Sequence, residues 1–574
     1  MSTAPCPRTT EIHHTKGIHR FKKGVLHIPG IIKSFRKRAK FSPSIPSREK
    51  SDPERGRVEP VSSNGEAPKE ADQQPINGQS RKIRGSKSTA KTSDTTTWMN
   101  WSGTQKANPT QIFHPETIKD LTEIVQKAKT ENKKVRCVCS GYTWSSSSVV
   151  QEDGFLVVMN KMDKIYDPVH LEGDVWTVEI ETGVQVKSLD DLLRKHDPPL
   201  ALPSNVVLDK MRFGGILSLG CHGAATHSRT LSDLVHSVKI VDSSGNVNVF
   251  SKDVDPVEFS AATVNLGLLG IIYSYTLRIE PMFKLHLRDT FHPYRDFLSS
   301  PERDGPKLKA IVESNDQTEI FYFPFNKKGP HASDDQMWVK SWRRTTDLPL
   351  TETPKQTKIL KRFQRMTMVI VNKLYRFMAS NPHHTQSMKW VMFSMVINRA
   401  NKVLYAPDAI HFLDGVDNVK STDMEMAFKV DENYENVVKA WSFVIEEMYE
   451  HARRKEFPLN IAIEMRFIKS SQMMMSYAYD DDPEAVYCMI EVLSATGTKG
   501  FEEFSAKVAK YWMDEFQARP HWAKVWEHIP GIVPYLRQET GGARARLDEF
   551  EKIRNKYDPE GMFMNRTFAG LLGH

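Results

Sequence analysis

Phe213-Gly214-Gly215-Ile216-Leu217-Ser218-Leu219-Gly220-Cys221-His222-Gly223-Ala224-Ala225 is the stretch on which the fold turns. Glycines beside serine let backbone N–H groups approach a pyrophosphate that larger side chains would hold off. One such loop on its own reads equally well as a tight turn. A second lies upstream in Val135-Arg136-Cys137-Val138-Cys139-Ser140-Gly141-Tyr142-Thr143-Trp144-Ser145-Ser146, a strand running into a small-residue turn. Two loops of this kind, each beside a strand-like segment, point to a bound dinucleotide.

Around them, helix and strand signals mix. Ile118, Leu121, Ile124, Val125 and Ala128 recur at helical spacing behind Thr117, a capping residue type. Lys134–Ser140, Phe155–Asn160, Val175–Ile180 and Val235–Val241 read as strands, and Val186–Lys195 as a short helix. Without a steady βαβ order this predicts an α+β fold. Beyond Pro281 come longer strands (Glu319–Phe325, Met424–Val430, Ile461–Ile468, Tyr487–Val492) and amphipathic helices over Tyr434–Arg453 and Phe501–Phe516. The expected organisation is a disordered basic tail over 1–95, a nucleotide-binding domain over 96–283 and a substrate domain over 284–574.

Composition sets the outer limits. At 574 residues, 39% hydrophobic and 26% charged, the chain suits a globular protein with a sizeable core. Cys6, Cys137, Cys139, Cys221 and Cys488 are odd in number and scattered, which argues against a disulfide framework and a zinc site, and no metal is expected. No apolar run is long enough for a transmembrane helix. Residues 1–95 hold 20 Lys/Arg against 9 Asp/Glu, leaving 59 against 62 in the remainder. The net charge of +8 therefore belongs to the tail, and a nucleic-acid-binding surface is not expected. The tail's Ser, Pro, Gly, Asn and Gln cannot bury enough apolar surface to offset ordering entropy.

The second half carries three more motifs. Ile463-Glu464-Met465-Arg466-Phe467 reads as a strand whose period puts Glu464 and Arg466 on one face. Such a pair usually meets solvent, but Ile461, Ile463, Met465 and Phe467 make this strand buried on at least one side. Arg519-Pro520-His521-Trp522-Ala523-Lys524 and Tyr557-Asp558-Pro559-Glu560-Gly561-Met562-Phe563-Met564-Asn565 follow.

Together these motifs resemble the vanillyl-alcohol-oxidase superfamily, and within it the aldonolactone oxidoreductases. The first loop is similar to that family's Val-Arg-x-Val-Gly-Ser-Gly-His-Ser, the second to its Gly-Gly-x-x-x-x-Gly-x-His-Gly. Asn265-Leu266-Gly267-Leu268-Leu269-Gly270-Ile271-Ile272, His521-Trp522-Ala523-Lys524 and the Asp558–Asn565 ending also fit. The resemblance covers about residues 98–570. It implies a two-part FAD-binding domain followed by a sheet-plus-helices cap domain whose C-terminal segment returns to the flavin. FAD would be held by Ser140, Gly141, Tyr142, Thr143, Trp144, Ser145, Gly215, Ser218, Gly220, Cys221, His222, Gly223 and Ile272.

Three positions depart from the family pattern. Tyr142 stands where related oxidases often carry the histidine linked to the flavin, so non-covalent FAD is expected. Cys139 replaces a glycine and reads as a small packed thiol. Val206 aligns where oxidases tend to have glycine and the dehydrogenase alanine, making it a candidate oxygen gate that favours another electron acceptor.

The chemistry that the resemblance implies is hydride transfer from a CH–OH carbon to flavin N5. A preorganised cation near N1 favours the charge the flavin gains, a role assigned to Arg466 with Lys524 assisting. Glu464 is expected to accept hydrogen bonds from sugar hydroxyls and to orient the carbon. His521 is a candidate substrate contact, and Trp522 reads as packing. The expected substrate is an aldono-1,4-lactone or related sugar alcohol, with oxygen or a redox protein as acceptor. Two alternatives stand: an oxidase of open-chain polyols or other secondary alcohols, and an inactive flavin-binding membrane or interaction protein.

Between Thr353 and Pro407 there are ten Lys/Arg and no acid, interspersed with Met366–Val371, Leu374, Tyr375, Phe377, Met378 and Trp390–Ile397. This reads either as cap helices packing inward or as a helical pair lying on an anionic membrane. Mitochondrial or endoplasmic-reticulum membrane association is what the resemblance implies.

Overall fold

In the computed structural model, residues 91–92, 97–150, 153–327, 331–349, 354–396, 400–412, 415–538 and 543–574 are described. The first sheet has four strands, β1 (Lys91–Thr92), β2 (Gln111–His114), β3 (Val135–Val138) and β4 (Phe155–Val158), in the order β1-β2-β4-β3. β2 and β3 both run parallel to β4, and helix α1 (Ile118–Thr130) provides the crossover. Thr117 caps α1 with a capping box, its hydroxyl accepting from the Asp120 N–H while the Asp120 carboxylate accepts from the Thr117 N–H. Leu121, Ile124, Val125 and Ala128 of α1 pack on Phe113, Val135, Phe155 and Val157.

The second sheet comprises β5 (Val169–Glu172), β6 (Val175–Glu181), β7 (Leu200–Ala201), β8 (Val235–Val241), β9 (Val247–Ser251) and β10 (Ile271–Pro281). Its order is β9-β8-β10-β6-β5, with β7 beside β10. Helix α2 (Val186–Leu193) buries Val186, Leu189 and Leu193, and the short α3 (Phe213–Ser218) carries the second glycine loop.

From Lys284 onward an antiparallel sheet of eight strands forms: β11 (Lys284–Pro293), β12 (Gln317–Tyr322), β13 (Gln336–Arg344), β14 (Asn401–Tyr405), β15 (Ser421–Lys429), β16 (Ala462–Lys469), β17 (Val486–Ala495) and β18 (Arg519–Pro520). The order is β14-β11-β13-β12-β16-β17-β15-β18. Period two divides its side chains between two faces. Ile320, Met424, Met426, Ile463, Met465, Ile490 and Val492 join one core with helices α4 (Pro301–Glu313), α7 (Glu435–Arg453) and α8 (Phe501–Phe516). On the other face Phe321 and Ala462 pack with α5 (Pro354–Ser380) and α6 (Thr385–Val396) through Met368, Val371, Tyr375, Met378 and Met392. The chain ends in α9 (Ala543–Tyr557) and α10 (Arg566–Leu572).

Several expected bounds shift, each for a local reason. The strand beginning at Val135 stops at Val138, where its partner β4 ends. The one beginning at Phe155 stops at Val158 and tightens into a 3₁₀ turn over Met159–Lys161. Tyr322 ends β12 because Phe325 turns left-handed (φ 58°), its N–H donating to the buried Asp335 carboxylate at 3.1 Å. The expected disordered tail lies outside the described residues except at its end. There Lys91–Thr92 pairs with Phe113 and His114, and Lys91 reaches Glu116 at 2.9 Å, so those two residues are sheet rather than tail.

The C-terminal motif closes on the first loop. Asp558 accepts from the Met562 and Phe563 N–H groups at 2.7 and 2.9 Å. The Asn565 amide donates to the Ser146, Ser147 and Val149 carbonyls. Arg136, buried, donates to the carbonyls of Ser147, Leu266, Gly267 and Phe563 at 2.6–2.9 Å. Arg136→Met removes donors from four carbonyls in three separate segments, an expected loss of about 3 kcal/mol. Urea unfolding with an unchanged midpoint would show that this strap does not hold the loops.

Candidate active site

Two cavities meet at the boundary between the first two sheets and the antiparallel sheet. The first is walled by Ser140, Gly141, Tyr142, Thr143, Gly214, Gly215, Ser218, Leu266, Gly267, Gly270 and Ile272, with Arg136 and Ser148 behind. The second, about 250 Å³, is walled by Trp101, Trp144, Val206, His222, Glu425, Glu464, Arg466, Glu491, His521 and Lys524, among others. Tyr142, Met211, Cys221 and Ala523 belong to both walls, so the two cavities adjoin.

The charged wall is set by strand register. Glu425 of β15 lies opposite Glu491 of β17, and Glu491 lies opposite Glu464 of β16, giving a rank of three glutamates across adjacent strands. One step along, Arg466 lies opposite Glu319 of β12. The Arg466 guanidinium contacts Glu464 directly, donates to Glu319 at 3.1 Å and stands 3.9 Å from Glu491. Lys524 contacts Asp423, and lies 2.7 Å from Glu491 and 3.4 Å from Glu425. Its ammonium stands 4.7 Å from the centre of the Trp144 ring.

Five buried carboxyls around two cations cannot all ionise. Burial, reinforced by Glu491, drives Asp423 well above the carboxylate range. Burial likewise outweighs Arg466 at Glu464 and raises it well above its ordinary value. At Glu425 burial is overcome by Lys524 and His222, which hold it well below. Glu491 is lowered too: burial raises it most, but Lys524, the Asp423 hydrogen bond and Arg466 together outweigh that. The face thus approaches neutrality, with Glu425 and Glu491 set against Arg466 and Lys524. Burial thus pushes Glu464, expected as a hydrogen-bond acceptor, toward its protonated form, with the Arg466 contact opposing that push.

His222 engages oxygen at both ring nitrogens, Glu425 at 2.7 Å and the Gly223 carbonyl at 2.8 Å. Glu425 Oε2 is buried without a hydrogen-bond partner. His521 accepts from the Ala523 N–H at 3.1 Å, lies against the Tyr477 ring at 4.5 Å, and is pushed by burial down to about 3, hence neutral. His222, Glu425 and His521 bring ligand-type atoms within 4.8 Å of one another, the one such group among the described residues. The contact between His222 and Glu425 already uses two of those atoms.

Most residues expected to hold FAD lie on the first wall, but five do not, among them His222, which lines the second cavity. The Trp144 and Ser145 N–H groups already donate to the Ala523 carbonyl, at 2.7 and 3.3 Å, and so are not offered to a phosphate. Trp144 lines the second cavity instead, and the Ser145 hydroxyl donates to the Trp522 carbonyl at 2.7 Å. Gly220 accepts from the Tyr477 hydroxyl at 2.7 Å. Gly223 is a glycine because a Cβ would stand 2.6 Å from the Asn205 carbonyl. Trp522 packs, as expected, donating to the Met475 carbonyl. Cys139 is a packed thiol 3.7 Å from the Thr182 carbonyl.

The first cavity fits a flavin dinucleotide. Gly215 faces open space where a Cβ would intrude, and Gly141, on the same wall, takes a left-handed turn (φ 69°) that a side chain would strain. Ser148 Oγ and Arg136 Nε are buried there without partners, polar atoms that a bound group would satisfy. Asp423, Glu425, Glu491 and Glu319 were not singled out from the sequence. Their signal was a lone acid inside an apolar strand, as in Cys488-Met489-Ile490-Glu491-Val492-Leu493.

The comparisons with known proteins agree with this geometry. Residues 109–251 match an FAD binding domain and residues 275–570 match the D-arabinono-1,4-lactone oxidase family. An L-gulono-1,4-lactone dehydrogenase of Mycobacterium tuberculosis is 26% identical over 478 residues, covering 83% of this chain and 99% of that protein. A D-arabinono-1,4-lactone oxidase of Candida glabrata is 22% identical, covering 83% and 96%. A mitochondrial L-galactono-1,4-lactone dehydrogenase of Brassica oleracea is 23% identical, covering 83% of each. Among solved structures, cholesterol oxidase from B. sterolicum superposes with a TM-score of 0.71 at 19% identity, over 84% of this chain and 97% of that one.

Carboxyls pushed upward by burial carry a pH signature. A carboxyl whose folded pKa is raised contributes stability below its unfolded pKa, near 4, and loses it as pH rises toward the folded value. Each such group withdraws about 1.4 kcal/mol per pH unit across that window. Glu464→Gln, which mimics the protonated form, should therefore be more stable than the parent at pH 8 and converge with it near pH 4. Thermal melts across that range, with the two curves parallel throughout, would mean that Glu464 is ionised.

Proposed function

Because the chain belongs to the D-arabinono-1,4-lactone oxidase family, with an FAD binding domain ahead of the family region, we propose that it oxidises the CH–OH group of an aldono-1,4-lactone or related sugar alcohol. The observation that carries this reading is the charged rank of Glu425, Glu491 and Glu464, with Arg466 and Lys524, on a cavity that shares a wall with the cofactor cavity.

FAD, when bound, supplies the hydride acceptor. Arg466, anchored by Glu319 and Glu464, holds a fixed positive charge at the junction and favours negative charge developing there. Glu464 donates a hydrogen bond to a substrate oxygen and orients the carbon. Glu425 Oε2 receives the hydroxyl proton as hydride leaves the same carbon, so that the alcohol becomes a carbonyl. Lys524 keeps Glu425 and Glu491 ionised. Neutral His521 closes the wall beside them.

FAD is held non-covalently in this reading: Tyr142 lacks an imidazole, and burial pushes its phenol up to about 12. Val206, buried in the wall of the second cavity, is a candidate oxygen gate in this reading, which favours an electron acceptor other than oxygen. Neither an open-chain polyol oxidase nor an inactive flavoprotein accounts as well for two cations and five carboxyls buried at one junction.

Peripheral membrane contact is a second proposal, supported by α5. Ile359, Met366, Ile370 and Phe377 are 46–61% exposed on a helix with basic residues and no acid. No helix among the described residues is long and apolar enough to cross a membrane.

Anaerobic bleaching of the flavin by aldonolactones tests the redox reading. Arg466→Ala should slow bleaching by a hundredfold or more, and Glu425→Gln should slow it most at neutral pH. Normal bleaching in both would remove these assignments. In the same preparation, acid precipitation should leave the flavin in the supernatant, and reoxidation in air should be slower than turnover with an added acceptor. Co-sedimentation with anionic vesicles should fall when Lys361, Arg362 and Lys373 are changed to Gln; unchanged sedimentation rules out an electrostatic contact.

A further inference from the structure

The second cavity is built for more than a polyhydroxylated ring. Glu425, Glu464, Arg466, Glu491 and Lys524 form one charged cluster on its wall, Asp417 being ion-paired separately with Lys210 at 2.7 Å, and two residues along the strands from that cluster, roughly 7 Å away, the same face turns apolar. Glu464 gives way to Ala462, Glu491 to Leu493, and Glu319 to Phe321 and then Phe323. All of these apolar residues line the cavity.

Aromatic rings continue the wall. Phe321 lies 5.1 Å from Trp338 and 6.1 Å from Phe323, and Phe412 lies 6.5 Å from both Phe321 and Trp338. Helix α5 closes the far side with Met368, Val371 and Tyr375. An aldonolactone carries a hydroxyl or ring oxygen on nearly every carbon. Against this wall those groups would lose water and gain few partners, which opposes binding. The wall instead suits alkyl, acyl or aryl carbon.

We propose that the alcohol oxidised here carries an apolar body beyond its hydroxylated head, the head meeting Glu425, Glu464 and Arg466 and the body filling the arm between Phe321, Phe412 and α5. This rests on the redox reading above and specifies the substrate class of that same site. The arm ends against the helix whose opposite face exposes Ile359, Met366 and Ile370, so a substrate dissolved in a lipid surface would be separated from it by one helix.

The test compares anaerobic flavin reduction by D-arabinono-1,4-lactone, by the same lactone octanoylated on its primary hydroxyl, and by 4-butylcyclohexanol. Each buried methylene is worth roughly a factor of three to four, so the acylated lactone should exceed the parent in kcat/KM by about tenfold or more. Val371→Phe, which shortens the arm, should bring that ratio back toward one, with flavin content reporting that the variant folds. Equal or slower reduction by the acylated lactone overturns the apolar arm and leaves the redox reading standing. Reduction by the cyclohexanol alone keeps the arm and overturns the lactone head. Reduction by none of the three overturns both.

Discussion

Charge cannot be buried singly, and the second half of this chain is organised around that constraint. Lone acids on three neighbouring strands would each be costly in an apolar sheet. Register brings Glu425, Glu491 and Glu464 into one rank, where they share the Arg466 and Lys524 cations. The pattern repeats further along the same face, where Lys340 and Asp289, both fully buried, pair at 2.7 Å. A one-residue slip of any of these strands would carry its charges into the core with α7 and α8. The polar rank therefore fixes the sheet's register as firmly as its apolar face does.

The same rank places Lys524 where it can work. Its segment follows β18 at the edge of the sheet, and the Ala523 carbonyl there receives the Trp144 N–H. The first glycine loop is thus gripped from one side by 522–523 and from the other by Asn565 and Arg136. Neither grip involves sequence neighbours: Arg136 and Phe563 are 427 positions apart. The position of the cofactor loop relative to the charged rank is a consequence of long-range closure.

How much of this was legible in the sequence follows from the range of the signal. Period two in Ile463–Phe467 placed Glu464 and Arg466 together because strand geometry is local. The capping of α1 by Thr117 and the bounds of Phe501–Phe516 were legible for the same reason. Strand ends were less so: Tyr322 ends β12 because of Asp335, which lies beyond a turn. The placement of Trp144, Ser145, Gly220, His222 and Gly223 off the first wall was not legible either, since the chain does not show which side of a loop faces a cavity and which faces another backbone. Asp423, Glu425 and Glu491 stood in plain view, yet their meaning needed the register of three strands distant in sequence. The upward push on Glu464 was invisible for a related reason, because it depends on burial and on how many other carboxyls share its two cations.

The family resemblance and the cavity speak to different parts of the reaction. The motifs shared with lactone oxidoreductases lie where the glycine loops, Lys524 and Asn565 converge, and in the proposed reading they serve the step in which a CH–OH carbon gives up its hydride. The cavity residues beyond Ala462 and Leu493 are drawn largely from β12, β13 and α5, outside every motif that carries the resemblance, and in that reading they meet the part of the substrate that does not react. Conserved chemistry at one end of a cavity does not constrain the other end, because a sheet face can change polarity within two residues without altering its register. That independence lets a lactone oxidase fold serve a substrate that is hydrophilic only where it reacts.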